Sequence, residues 1–271
     1  MIWAVLILLG AAYLLALLLL FTRQRKIVFN PKSETARLED YAAPQGLAPV
    51  TYRTQDGVDL IGWYLPPARP DGQTIAYFHG NAGHHGDRVV RIVPYAAAGY
   101  GVLLAGYRGY GGNPGTPTEQ GLYADARAAL DFLQKQGVGP DRLIIFGESL
   151  GSAVATQMAT ERPARGLILE APFASILRSA RQRYRYLAFD LLVRDKFDTL
   201  SKIAAVNMPL LVIHGDLDRT TPAMFGRMVF EAAREPKAGF FPPLAGHNDL
   251  MQHGMPERVL AFLEELGKSA Q

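Results

Sequence analysis

The chain has no cysteine among its 271 residues. That excludes disulfide staples, a thiolate nucleophile and every cysteine-bearing metal site. Its six histidines never take the His-Glu-x-x-His spacing of a helical zinc site, and no G-x-x-x-x-G-K-[ST] loop is present to cradle nucleotide phosphates. Charge of one sign is not in surplus: 28 Lys and Arg against 25 Asp and Glu leave a net +3, too mild for a nucleic-acid surface. The stretch Gly109-Tyr110-Gly111-Gly112-Asn113-Pro114-Gly115 lacks what a dinucleotide loop requires, because Pro114 interrupts the glycine spacing and no helix begins directly after it. No cofactor, metal or nucleic-acid partner is expected.

Another absence is local. From Ile2 to Phe21 there is no charged residue, and about 20 apolar residues in a helix just span the hydrocarbon core of a bilayer. The start carries no basic side chain, and Leu17 to Phe21 offers no small-residue cleavage site, so a retained anchor is expected rather than a signal peptide. Arg23, Arg25 and Lys26 follow, and the positive-inside rule puts that flank, with the domain behind it, on the cytoplasmic side. Residues 1–22 are thus read as a transmembrane anchor, 23–49 as a juxtamembrane linker and 50–271 as one folded domain. Its 49% hydrophobic content is enough to bury a large core.

Within that domain short apolar runs alternate with helical patterns. Val50–Thr54 and Leu60–Leu65 read as an antiparallel pair around Asp56-Gly57. Strands follow at Thr74–His79, Val102–Ala105, Leu143–Phe146, Leu167–Glu170, Leu210–His214 and Gly239–Phe241. Helices are expected at His85–Ala98, from a capping box at Thr116-Pro117-Thr118-Glu119 to Gln136 with Gly137 as stop, after Ser149, near Thr221-Pro222, and over Glu257–Leu266. Such alternation implies an α/β fold with a mostly parallel, doubly wound sheet whose C-terminal edge carries the site.

Gly147-Glu148-Ser149-Leu150-Gly151 sits where a buried strand turns into a helix. A turn this tight strains the serine backbone and leaves no room for side chains two residues either side, which lifts the hydroxyl into the open. A serine hydroxyl needs a base to take its proton and a carboxylate to orient that base. The loop after Leu210–His214 supplies Asp216 and Asp218, and the loop after the last strand supplies His247. Ser149, Asp216 or Asp218, and His247 then stand in the order nucleophile, acid, base. His214 ends a strand and is expected to cap or pack there, while His84, His85 and His253 are expected in polar, exposed surroundings. The amide of Leu150, together with that of Asn81 in the small-residue loop Gly80-Asn81-Ala82-Gly83, is expected to form an oxyanion hole. Arg108 is read as a structural donor to neighbouring loops.

Five motifs carry a resemblance: His79-Gly80-Asn81-Ala82-Gly83, Tyr107-Arg108-Gly109-Tyr110-Gly111, Gly147 to Gly151, His214-Gly215-Asp216-Leu217-Asp218 and Gly246-His247-Asn248-Asp249. In this order the chain resembles the bud-emergence-type α/β-hydrolases, membrane-anchored serine hydrolases related to acyl-protein thioesterases. The resemblance implies an α/β-hydrolase fold over about Lys26 to Leu266. It also maps the acid to Asp218, giving Ser149, Asp218 and His247 as the catalytic residues. The function it implies is cleavage of a carboxylic ester or thioester, with a fatty-acyl substrate favoured by proximity to lipid. The rival readings are a serine peptidase of the same fold and a non-catalytic, membrane-tethered binding protein.

Between about 173 and 207 the alternation breaks, and a small helical cap is expected. Arg178, Arg181, Arg183, Arg185, Arg194, Lys196 and Lys202 supply its charge, and Tyr184, Tyr186, Leu187, Phe189, Leu191 and Leu192 its apolar side.

Overall fold

A helix does not stop where its charges begin. Arg23, Arg25 and Lys26 are good helix formers, and cations are favoured beside the last carbonyls of a helix. In the computed structural model α1 therefore runs Ile2–Val28, with Arg25 and Lys26 in its final turn. It is longer than the expected 22-residue anchor. By length and composition it can cross a membrane, and none of its most apolar stretch is buried against the rest of the protein. The structure describes residues 1–183 and 192–268.

Eight strands form one sheet: β1 (Ala48–Arg53), β2 (Asp59–Leu65), β3 (Thr74–Phe78), β4 (Gly101–Leu104), β5 (Leu143–Glu148), β6 (Gly166–Glu170), β7 (Leu210–Ile213) and β8 (Lys237–Phe240). Their order is β1-β2-β4-β3-β5-β6-β7-β8. Only the β1·β2 and β2·β4 pairs are antiparallel, and every other neighbour is parallel. Strand residues alternate between two apolar layers, as the pleat requires. On one face Ala76, Ile145, Leu169 and Val212 pack against α3 (Glu119–Lys135), α4 (Leu150–Glu161) and α7 (Ala223–Ala232). On the other, Ile75, Ile144, Phe146 and Ile213 pack against α2 (Val89–Ala97) and α8 (Met255–Lys268). This is the α/β-hydrolase fold. Because all the parallel strands point the same way, the loops after β3, β5, β7 and β8 gather at one edge.

Two local expectations are corrected. The α3 cap is Thr118, whose Oγ1 accepts from Gly121 N at 2.9 Å, two residues later than the box read at Thr116. Glu119 does not close a box. Its carboxylate instead takes Tyr123 Oη at 2.8 Å and Lys196 N at 2.6 Å. The helix expected from His85 begins as a 3-10 turn, His85–Arg88, before α2. The stop at Gly137 is as expected, with φ +83°.

The cap region contains α5 (Ile176–Arg183) and α6 (Thr199–Ile203). Tyr184, Arg185, Tyr186, Leu187, Phe189 and Leu191, and the side chain of Arg183, lie outside the described residues.

Candidate active site

The turn from β5 to α4 forces Ser149 to φ 50° and ψ −113°, a conformation that costs an ordinary residue on the order of 1–3 kcal/mol. Two glycines make it possible. A Cβ on Gly147 would collide with the Gly151 carbonyl, and one on Gly151 would collide with the Phe78 carbonyl of β3. The Ser149 amide is secured by Glu170 O at 2.8 Å.

Beneath the turn lies a buried ionic layer. Glu148 Oε2 accepts from Tyr77 Oη at 3.0 Å and Arg88 Nε at 2.7 Å, and Glu170 Oε1 accepts from Arg91 Nη1 at 2.7 Å. Burial opposes ionisation of Glu148, but the charges of Arg88 and Arg91 outweigh it and hold the carboxyl at about 2. For Glu170 burial prevails over Arg91 and the carboxyl is raised. Such a network cannot move in part, because breaking one member strands a buried charge. It clamps the strands on either side of Ser149.

The two aspartates after β7 separate clearly. Asp216 turns outward to Arg227 at 2.6 Å. Asp218 is 6% exposed and turns inward, its Oδ1 accepting from the amides of Thr220 (2.8 Å) and Thr221 (2.7 Å). Its Oδ2 lies 2.6 Å from His247 Nδ1. Burial pushes the Asp218 carboxyl up, but the hydrogen bonds from His214 and His247 and the His247 charge overcome it and hold the group well below the usual carboxylate range. An ionised carboxylate only accepts, so His247 Nδ1 carries a proton and donates it to Asp218 Oδ2. The structure thus brings Asp218 and His247 together and leaves Asp216 outside.

His214 is wholly buried, and its Nε2 lies 2.7 Å from Thr221 O and 3.2 Å from Asp218 Oδ2. Its Nε2–H is donated to Thr221 O, with Asp218 Oδ2 close to the same nitrogen, so it packs beneath the loop that carries Asp218. His84 and His85, expected to be exposed, are buried to 2% and 1%. His84 Nδ1 accepts from Gly86 N at 3.1 Å, and the His85 ring stands edge-on to Trp63 with centroids 5.0 Å apart. Their polar sequence surroundings gave no hint of the tryptophan on β2. His253 is partly exposed. Arg108 binds Asp125 at 2.7 Å and Asp56 at 2.7 Å, as a structural donor should.

The loop after β3 is equally fixed. His79, its ring tilted against Tyr107 and its pKa driven down to about 3 by burial and by Arg88, is neutral and donates Nδ1–H to Gly80 O at 2.8 Å. Asn81 O accepts from Asn30 N and Tyr110 Oη, both at 3.0 Å, and its Nδ2 donates to Val28 O at 3.2 Å. The Leu150 amide belongs to the first turn of α4, where N–H groups have no intrahelical partner.

Ser149, Leu150 and Asn81 share a cavity of about 450 Å³ whose other walls come from α1, from Phe173 and α5, and from the loop Arg219–Pro222. Among the described residues no cluster of three or more His, Asp or Glu is placed to hold a metal ion.

Residues 69–192 match the Hydrolase_4 family, serine aminopeptidase S33. The uncharacterized protein Rv2307c of Mycobacterium tuberculosis is 40% identical over 254 residues, covering 92% of this chain and 90% of that one. The lysophosphatidylserine lipase ABHD12 of Danio rerio is 33% identical over 196 residues, 65% of this chain and 51% of that protein. Among solved structures, the Pyrococcus furiosus esterase Pf2001 superposes with a TM-score of 0.69 over 88% of this chain and 98% of its own. At 18% identity that likeness speaks for the fold alone.

Proposed function

We propose that this chain, which belongs to the Hydrolase_4 family of α/β-hydrolases, is a membrane-anchored serine hydrolase that cleaves carboxylic esters or thioesters of fatty acids. The observation that carries the proposal is the Asp218–His247 contact of 2.6 Å on the same sheet edge as the strained Ser149 turn. A carboxylate held ionised inside the protein and bonded to a histidine has the form of an acid–base pair waiting for a nucleophile.

In this reading His247 Nε2 takes the proton of Ser149 Oγ as that oxygen attacks the acyl carbonyl. The oxyanion is met by the amides of Leu150 and Asn81. Collapse expels the alkoxide or thiolate, which leaves with the proton from His247, and the acyl group stays on Ser149. Water then gives a proton to His247 while its oxygen attacks the acyl carbon, and His247 passes that proton to the departing Ser149 Oγ, releasing the acid. Asp218 stays ionised throughout and stabilises the imidazolium. The motif set favours the bud-emergence branch of the family. An acyl rather than a peptidyl substrate is favoured by the apolar lining, with Leu17, Leu20, Phe21, Phe173 and Ile176 around Ser149. The lipase activity in the name of the ABHD12 relative points the same way. Arg23, Arg25 and Lys26 behind the span favour a cytoplasmic domain.

The test is a panel of p-nitrophenyl esters, acyl thioesters and peptide amides on the full chain in detergent, alongside fluorophosphonate labelling. Ester or thioester turnover with labelling at Ser149 is expected. Turnover of amides alone would replace the reading with a peptidase, and absence of both labelling and turnover would leave a binding protein.

A further inference from the structure

On α1 the side chains facing the cavity are Leu17, Leu20, Phe21, Gln24, Ile27 and Val28. They fall three or four residues apart, one face of a helix, and all but Ile27 are half-buried, whereas Leu18, Leu19 and Thr22 between them are exposed. The face has a direction. At its C-terminal end the Val28 carbonyl holds the Asn81 side chain at 3.2 Å, so the last turn of α1 touches the loop beside Ser149. At its N-terminal end Leu17 continues into the charge-free run back to Ile2. Between the two ends α1 is locked to the domain. Arg25 Nε bonds Asp195 Oδ2 at 2.8 Å, Gln24 exchanges hydrogen bonds with the backbone of Leu192 (3.1 Å) and Arg194 (2.8 Å), and the Arg194 guanidinium lies over Phe21 at 4.1 Å.

We infer that α1 is a wall of the substrate site as well as a tether, and that a single long acyl chain lies along its Leu17-to-Val28 face with its carbonyl at Ser149 and its tail directed toward the bilayer. At 1.5 Å per residue the face is about 16 Å long, which suits a long acyl chain and leaves a short one in contact with only its last turn. The acyl substrate would then pass from the membrane to the serine along the helix that spans the membrane, without its tail crossing water. Removing residues 1–22 would remove Leu17, Leu20 and Phe21 from the site. This inference rests on the serine-hydrolase reading for the carbonyl's position, and on the cavity itself for the chain's.

The experiment compares Leu20→Trp, on the cavity face, with Leu19→Trp, its exposed neighbour on the same helix, in the full chain in detergent micelles. With p-nitrophenyl esters, Leu20→Trp is expected to lower the ratio of dodecanoate to butyrate kcat/KM by at least ~10-fold, about 1.4 kcal/mol. Leu19→Trp should leave both substrates within ~2-fold. Equal effects of the two variants, or none from either, would overturn the inference while butyrate turnover and Ser149 labelling still reported on the hydrolase reading. Independently of turnover, a dodecanoyl probe with a terminal diazirine is photolysed on Ser149→Ala protein in the same micelles. Adducts on Leu17, Leu20, Phe21 or Gln24, displaced by excess unlabelled dodecanoate, support the wall. Adducts displaced by dodecanoate but confined to residues outside α1 exclude it, as does labelling spread equally over Leu18 and Leu19.

Discussion

The floor of the cavity and its α1 wall are held by different forces. At the floor, Ser149 is fixed by backbone strain, by two glycines that admit no Cβ and by a buried layer of carboxylates and arginines. Among the described residues the wall is held by one ion pair with a 40%-exposed arginine, a few hydrogen bonds and half-buried leucines. Chemistry that tolerates little positional error is assigned to interactions that break all at once. Apolar recognition, which is graded and non-directional, is assigned to contacts that can shift by a rotamer. Variants at the floor should therefore abolish rate, whereas variants on the wall should reshape selectivity.

The largest effect expected is at the nucleophile. Ser149→Ala should lower ester turnover by at least ~10³-fold, because the chain has no thiol and the strained strand-to-helix turn presents only this hydroxyl for the covalent step. It should also abolish fluorophosphonate labelling with the fold retained by circular dichroism. Full activity in this variant would remove the floor from the comparison altogether.

Next is the acid. Asp218→Asn should cost on the order of 10²–10⁴-fold in kcat, because an amide neither stabilises the imidazolium nor enforces the His247 tautomer. Asp216→Asn, which only breaks an exposed contact to Arg227, should stay within ~2-fold. If the two exchanged places, the acid would be on the wrong residue and the inward hydrogen bonds of Asp218 would be structural only.

In the sequence this site is most legible at the turn around Ser149. Gly147, Ser149 and Gly151 stand out because strand, turn and helix are adjacent in the chain and the steric demand is local. Asp216 and Asp218 share one loop and their residue types leave the choice open; the resemblance maps Asp218, and the partners they meet are Arg227 for Asp216 and His247 for Asp218. His84 and His85 lie buried where exposure is expected, because what surrounds them comes from other elements. The α1 wall was hidden most deeply. Its charges at 23–26 read as the end of an anchor, yet Arg25 finds its carboxylate 170 residues away.

Stability should register the floor at Glu148. Glu148→Gln leaves Arg88 and Arg91 facing a neutral side chain, and breaking a buried pair from one side costs on the order of 3 kcal/mol at neutral pH. The sign with pH follows from the depressed carboxyl. Its folded value near 2 lies below its ordinary 4.5, so its contribution is complete above about pH 4.5 and is lost as pH falls toward 2. The gap in Tm between the native chain and Glu148→Gln should be widest at neutral pH and narrow through that acid window. A gap that stayed constant with pH would mean that packing, not charge, holds the floor.

The smallest effect, and the one that most sharpens the comparison, is expected from Arg25→Gln. The Arg25–Asp195 pair is half open to solvent on the arginine side, and pairs of that kind contribute roughly 0.5–1 kcal/mol. Asp195 is 5% exposed but keeps the Glu119 amide at 2.9 Å, so it is not left without a partner. The full chain in detergent should therefore lose only about 2–4 °C in Tm. Because Ser149, Asp218 and His247 are untouched, butyrate turnover should not change. The wall, however, would be free to lean away from the cavity, and dodecanoate kcat/KM should fall by ~3-fold. A Tm loss as large as that of Glu148→Gln would show that α1 is fastened as firmly as the floor and that the two regions form one cooperative unit.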